Sequence, residues 1–202
     1  RGEVDFAYQN PYVYLLLAQQ GKLQSLATTI SPEPETSREE FRGVIVVRQD
    51  SEIEELGDLR GKDIRVVSRK SAGGYQFQKI LLRQQGIAIE HEARIEEGKK
   101  HEEVILSVYR GEADAGFVRE AALKVAQDIV ATEDLRILAA TPYYPNWPFA
   151  AYSDTSPALV EKVRSALLAI DDPELLREAR ITGFTQSQTQ RLERLKERVL
   201  LQ

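Results

Sequence analysis

Val44 to Val47 form an unbroken apolar run between Gly43 and Arg48. A run without alternation predicts a strand buried on both faces. Upstream, Val4 to Tyr8 alternates well enough for a strand, with Asp5 inside it. Asn10 and Pro11 then mark a helix start, because asparagine caps an unpaired helix amide and proline suits the first helical position. Tyr12, Leu15, Leu16 and Leu17 carry that helix to Gly21. Ser31 to Glu40 is polar, contains Pro32 and Pro34, and reads as a surface loop.

Downstream of the apolar run, Asp50 to Leu59 predicts a turn and a short acidic helix. Ile64, Val66 and Val67 predict a buried strand, and Ser68 to Gly74 a polar loop. Phe77, Ile80 and Leu81 share one face of a helix that Gly86 ends. Ile87 to Ile95 reads as a weak strand and Glu96 to Lys100 as a turn. Glu102 to Arg110 places Val104, Ile105, Val108 and Tyr109 on one helical face. Ala113 to Val118, holding Asp114, is a strand; a helix follows from Arg119 to Ile129, then a strand from Leu135 to Leu138.

Thr141 to Trp147 is rich in proline and aromatics and predicts irregular structure, before an extended run from Phe149 to Tyr152. Ser156-Pro157 and Asp172-Pro173 each cap a helix, reaching Ile170 and Arg180. Thr185 to Gln188 has the form of a capping box for a last helix with Leu192, Leu195 and Val199 on one face. Strands alternating with helices predict an α/β architecture with largely parallel sheets.

Composition narrows the function classes. The chain has 202 residues, 42% hydrophobic and 29% charged, as a globular protein does. That length suffices for one domain or two small lobes. No apolar run approaches the about 20 residues of a membrane span. No secretory signal is present, and the chain opens at Arg1 inside what reads as structure, so an upstream part is expected. The net charge of −5 and the lack of a dense Lys/Arg stripe argue against nucleic-acid binding. With no cysteine, disulfides and thiolate chemistry are excluded.

The candidate chemistry lies between Gly61 and Gly86. A strand feeds the residues Ser71, Ala72, Gly73 and Gly74, and then a helix. Helix starts carry unpaired N–H groups and partial positive charge, so this stretch can cradle an oxyanion. An ordinary strand-to-helix turn uses the same residues. Only two histidines occur, His91 and His101. His101 sits just before a helix, where capping or surface exposure would also explain it. No nucleophile–base pair, metal-ligand cluster, P-loop or dinucleotide fingerprint is present, which disfavours an enzyme.

Four stretches together resemble the phosphate, phosphite and phosphonate solute-binding proteins of ABC transporters, of the type II periplasmic binding fold. They are GEVDFAYQNPYVY at 2–14, FRGVIVVRQDSEIEELGDLRGKDIRVVSRKSAGGY at 41–75, HEEVILSVYRGEADAG at 101–116 and LRILAATPYYPNWPFA at 135–150. The resemblance implies two α/β lobes, each with a mostly parallel sheet flanked by helices, holding ligand in the cleft between them. The first lobe would comprise residues 1–52 and 143–202, lacking its usual opening strand and helix, and the second residues 53–142. Crossovers would fall near Val47–Glu54 and Ala140–Trp147.

Carried over residue by residue, the family's oxyanion loop implies Ser71, Ala72, Gly73, Gly74 and Tyr75 as ligand-binding, with Gly73 lacking the family's second hydroxyl. His101 matches the anion-contacting histidine, as imidazolium or as neutral donor. Tyr8 matches the ligand-side aromatic, with Gln9 and Asn10 in place of a Gly-Pro turn. Tyr143, Tyr144 and Trp147 either floor the cleft or pack between lobes. Arg48, Arg69 and Lys70 either complement an anion or are ordinary strand-end cations, and Asp5 and Asp114 bond loop backbone.

The implied function is an extracytoplasmic or periplasmic solute-binding protein, without cofactor, metal or catalytic activity, that captures a small anionic ligand. The implied partner is an ABC permease or, alternatively, the signalling domain of a membrane receptor such as a sensor histidine kinase. Membrane association would come only through a partner or a missing segment. An enzyme or a regulator effector domain on the same scaffold is a weaker alternative.

Overall fold

The computed structural model describes residues 4–32 and 39–200. The first half of the chain forms β1 (Phe6–Tyr8), α1 (Pro11–Ala18), β2 (Leu23–Ile30), β3 (Glu40–Phe41), β4 (Gly43–Arg48), β5 (Asp63–Val66), α2 (Phe77–Gln84), α3 (Ile89–Glu92) and β6 (Arg94–Glu97). The second half forms α4 (His101–Tyr109), β7 (Ala115–Arg119), α5 (Ala121–Ala126), β8 (Leu135–Ala140), β9 (Tyr144–Pro145), β10 (Pro148–Tyr152), α6 (Pro157–Leu168), α7 (Pro173–Glu178), β11 (Gly183–Gln186) and α8 (Thr189–Leu200). The chain divides into two compact units: residues 1–41 with 144–202, and residues 42–143.

The unit of residues 42–143 is built on a five-stranded sheet of order β6-β5-β7-β4-β8. β5 runs parallel to β6 and β7, whereas β4 runs antiparallel to β7 and β8. Ile45 and Val47 pack with Leu59, Ile64, Tyr75, Leu82 and Phe117, while Val44 and Val46 pack with Val104, Ile105, Val108 and Val118. Two separate cores therefore grip β4 from opposite faces, as its continuous apolar run requires. Each fully buried Val or Ile contributes about 1.5–3 kcal/mol. The expected lobe boundary at 52/53 leaves β4 with the first lobe, but its ladders join it to β7 and β8 here.

The other unit carries a four-stranded sheet, β1-β10-β2-β11, and the two-stranded pair β3-β9. Every described pairing in it is antiparallel, contrary to the mostly parallel sheet expected. The cause is topological: β1 and β2 are joined through α1 as a parallel crossover, yet β10 from the distant half of the chain lies between them. Sequence patterning also misses β2, because Thr28 and Thr29 interrupt its apolar run although both are buried. Their hydroxyls are satisfied: Thr29 donates to the Trp147 carbonyl and Thr28 accepts from the Gln188 amide.

The local punctuation read from the sequence holds at three helix starts. Asn10, Ser156 and Asp172 each cap a helix with proline in its first turn. Elsewhere the elements differ. Ile87 to Ile95 splits into α3 and the start of β6, and the acidic segment before Leu59 tightens into a single turn, Leu56–Leu59. Thr185 and Gln186 belong to β11, so α8 opens at Thr189, three residues later than the box implies. Tyr144 and Pro145 are the short strand β9 inside a segment expected to be irregular. Asp5 and Asp114 precede their strands instead of lying within them. The loop expected at Ser31 to Glu40 falls largely outside the described residues.

Candidate functional site

β5 delivers the chain into Ser68, Arg69 and Lys70, and Ser71 caps the helical turn that comes next. The Ser71 hydroxyl oxygen accepts the Gly74 N–H at 3.1 Å, which leaves its proton available to a further acceptor. Ala72 to Gly74, expected as the end of a loop, belong instead to a wide helical turn, Ala72–Gln76, that runs directly into α2. Gln76 N–H reaches the Ser71 carbonyl and Phe77 N–H the Ala72 carbonyl, each one residue beyond α-helical spacing. Such π turns are rare and concentrate at functional positions. Among the described residues, the amides of Ala72 and Gly73 have no acceptor. No acidic side chain occupies the first turn of either segment, so the positive end of this helix is not neutralised by its own first turn.

The buried residues of this stretch do different jobs. Gly74 is required for space: a β-carbon there would lie 2.6 Å from Val67 Cγ2 and 2.8 Å from Ser71 Oγ. Tyr75, expected to bind ligand, is 2% exposed and sits in the core with Ile45, Leu82 and Phe117. Its ring lies 5.8 Å from the Arg69 guanidinium. On α2 the buried side chains are Phe77, Gln78, Ile80 and Leu82, so burial wraps further round the helix than the expected Phe77, Ile80 and Leu81.

His101 is the first residue of α4, which follows β6. Because β5, β6 and β7 run parallel, the serine turn after β5, the start of α4 and the end of β7 lie at one edge of the sheet. The imidazole Nδ1 accepts the backbone N–H of Arg119, the last residue of β7, at 3.1 Å. Burial, and then the nearby Arg119 charge, push the histidine down to about 4. Of the two forms left open by the sequence, the ring is therefore neutral at pH 7 with its proton on Nε2. His91 lies in α3 and is exposed.

Sequence reasoning missed a second cluster, centred on Glu120, the residue after Arg119. Glu120 accepts from Arg42 Nε at 2.8 Å and from the Tyr143 hydroxyl at 3.1 Å. The Arg42 guanidinium also lies 4.7 Å from the centre of the Tyr143 ring and holds the Glu120 carboxyl below its ordinary range. Arg42 and Tyr143 are the first and last residues of their unit. Contacts across 78 and 23 residues leave no local signal in the sequence.

The remaining candidates separate cleanly. In the other unit Tyr8 is 43% exposed at the end of β1. Its hydroxyl lies 3.0 Å from that of Thr29, and its ring centre 5.3 Å from that of Trp147. Tyr144 is buried. Arg48 is paired with Asp50, and Arg69 is tied through its amide to Glu97. Asp114 accepts the Asp63 N–H, the backbone role expected of it. Among the described residues no three His, Cys, Asp or Glu side chains gather as a metal site requires.

The chain is 27% identical over 190 residues to the tetrathionate sensor histidine kinase TtrS of Salmonella typhimurium. That match covers 83% of this chain and 31% of the relative, so the chain spans about a third of the relative's length. Among solved structures, XAC2383 from Xanthomonas citri bound to ATP superposes with a TM-score of 0.85 at 24% identity, covering 100% of this chain and 79% of that one. PhnD1 from Prochlorococcus marinus in complex with methylphosphonate superposes with a TM-score of 0.73 at 18% identity, covering 97% and 77%. These likenesses establish the type II periplasmic binding protein fold. A family model described as the periplasmic substrate-binding protein of phosphonate ABC transporters matches residues 1–192, and the chain belongs to that family.

Proposed function

We propose that this chain captures a small oxyanion of the phosphate, phosphite or phosphonate type outside the cytoplasm and binds it without turnover. The observation that carries the reading is the serine turn. At the family's anion position stand one hydroxyl proton, two uncommitted amides and a helix start with no acidic residue in its first turn. Hydrogen bonds from such donors to a charged ligand are the strong kind, and stronger still away from water. The neutral His101, on the same unit as the serine turn, adds a donor through Nε2. Gly73 contributes only its amide, so selectivity is expected to differ from relatives with a second hydroxyl there.

Occupancy would be passed to an ABC permease. A second reading, supported by the match to a tetrathionate sensor kinase, makes the same domain the sensing part of a membrane receptor. Among the described residues no helix is long and apolar enough to cross a membrane.

Isothermal titration tests the reading, with phosphate, phosphite, methylphosphonate, 2-aminoethylphosphonate and tetrathionate as ligands. Tight binding of one phosphorus oxyanion, recovered unchanged after incubation, supports it. Binding of tetrathionate alone moves the conclusion to the receptor reading. If only an uncharged or cationic solute binds, the oxyanion assignment fails.

A further inference from the structure

The side chain of Gln78 has no place in the recognition chemistry described so far, yet it is 0% exposed on α2. Its Nε2 lies 2.8 Å from the Gly73 carbonyl, 3.1 Å from that of Val44 and 3.1 Å from that of Val118. Two N–H bonds thus serve three carbonyls drawn from the serine turn, β4 and β7. Its Oε1 has no partner among the described residues. An unpaired buried acceptor is costly, so the value of this amide lies in its donor end. The chain also makes room for it. A β-carbon on Gly43 would stand 2.4 Å from Nε2, and glycine alone avoids the collision.

The three carbonyls are not equivalent. The Gly73 carbonyl belongs to the π turn. The Val118 carbonyl and the Arg119 N–H are the two ends of one peptide group, and that N–H is the donor to His101 Nδ1. The Gln78 amide and the His101 ring therefore hold one peptide from opposite ends. Drawing charge from its carbonyl strengthens its N–H as a donor, because linked hydrogen bonds polarise one another.

We propose that Gln78 is a positioning residue that couples the two anion-binding elements. It fixes the serine turn against the Val118–Arg119 peptide, and through that peptide it sets the orientation and tautomer of His101. The proposal rests on the oxyanion reading for its consequence in binding, but the coupling exists in the ligand-free protein. Gln76 braces the outer side of the same turn by donating to the Arg69 carbonyl, and makes no link to His101.

The test uses Gln78→Met, which keeps the length and removes the amide, and Gly43→Ala, which displaces the amide while leaving Gln78 in place. Imidazole 15N spectra of the ligand-free proteins read the His101 tautomer, and titration with methylphosphonate and phosphate reads affinity. Loss of the pure Nε2–H tautomer in either variant, with affinity at least ten-fold lower for protein that remains folded, is expected. The double variant should be no worse than Gln78→Met alone. Should Gln78→Met fail to fold, Gly43→Ala carries both readouts. An unchanged imidazole spectrum overturns the coupling, whatever the protein binds. A changed spectrum with unchanged affinity overturns the positioning role. A changed spectrum in a protein whose wild-type form takes no oxyanion upholds the coupling and overturns the function proposed above.

Discussion

The Nδ1 atom of His101 accepts the Arg119 N–H, so the ring can meet a ligand only through Nε2. The histidine has a fixed tautomer, and its charge is suppressed by burial and by Arg119 down to about 4. Affinity for an anion whose own charge is constant, such as tetrathionate or a sulfonate that binds, should therefore stay flat between pH 6 and 8. His101→Ala should weaken binding by about ten-fold or more, the loss of one hydrogen bond to a charged group. A steep decline in affinity from pH 6 to 8 in the wild type would show instead that the bound ring is an imidazolium.

The same depressed value makes a statement about folding. Between about 4 and the ordinary 6.5, the unfolded chain binds a proton that the folded chain does not. Stability contributed by the neutral ring is thus complete above pH 6.5 and falls away as the pH drops through that window. The full loss is on the order of 3 kcal/mol. Urea denaturation of wild type and His101→Gln at pH 7 and pH 4.5 checks it: the variant should lose less stability on acidification. Equal losses would place the proton sensitivity elsewhere.

Ser71 has two functions that a single substitution separates by size. Ser71→Ala removes the cap on Gly74 and should cost about 0.5–2 kcal/mol of stability. It also removes a donor to a charged ligand, worth about 1.5–3 kcal/mol of affinity. Denaturation and titration report these losses separately. A protein that loses stability but keeps its affinity would reduce Ser71 to a helix cap.

How much was legible in the sequence depends on the range of the forces involved. Helix starts at Asn10, Ser156 and Asp172 are set by one side chain and the next few amides, so they can be read locally. The central strand β4 is equally plain, since burial on both faces demands an unbroken apolar run. β2 is hidden because Thr28 and Thr29 look polar until their hydroxyl partners, just before β10 and before α8, are known. Strand direction in the first unit is decided by β10, more than a hundred residues from both of its neighbours. At the site, Ser71 and the glycines after it stand out as a helix start, but the π turn does not. Gln78 reads as an ordinary polar helix residue until Val44, Gly73 and Val118 converge on it.

Gly74 is sensitive for a reason of packing. Its φ is not in the left-handed region, so glycine is not needed for the turn itself. Gly74→Ala would press a methyl group onto Val67 and the Ser71 hydroxyl. Such overpacking typically costs about 1–3 kcal/mol. Val67→Ala should recover part of that loss in the double variant, measured by chemical denaturation. If Gly74→Ala is as stable as wild type, the turn has room that the geometry denies.

Glu90 provides the last test, away from the site but on the helix that packs against the one carrying it. Its carboxylate joins Lys79 at 3.1 Å and Arg83, both on α2, and is partly buried. Burial alone would raise its pKa, but the backbone bond and the bonds from Arg83 and Lys79 together hold it at about 2. The folded state therefore releases this proton more readily than the unfolded chain, whose glutamate titrates near 4.5. The resulting stability is present above pH 4.5 and is lost progressively as the pH falls from there toward 2. A shift of this size corresponds to about 3 kcal/mol. Glu90→Gln should lower stability at pH 7 by about that much, because it leaves two cations facing a neutral amide. The difference between variant and wild type should shrink as both are taken to pH 3. Denaturation midpoints at the two pH values decide it: a constant difference would mean that the glutamine disturbs packing and that the ion pairs contribute little.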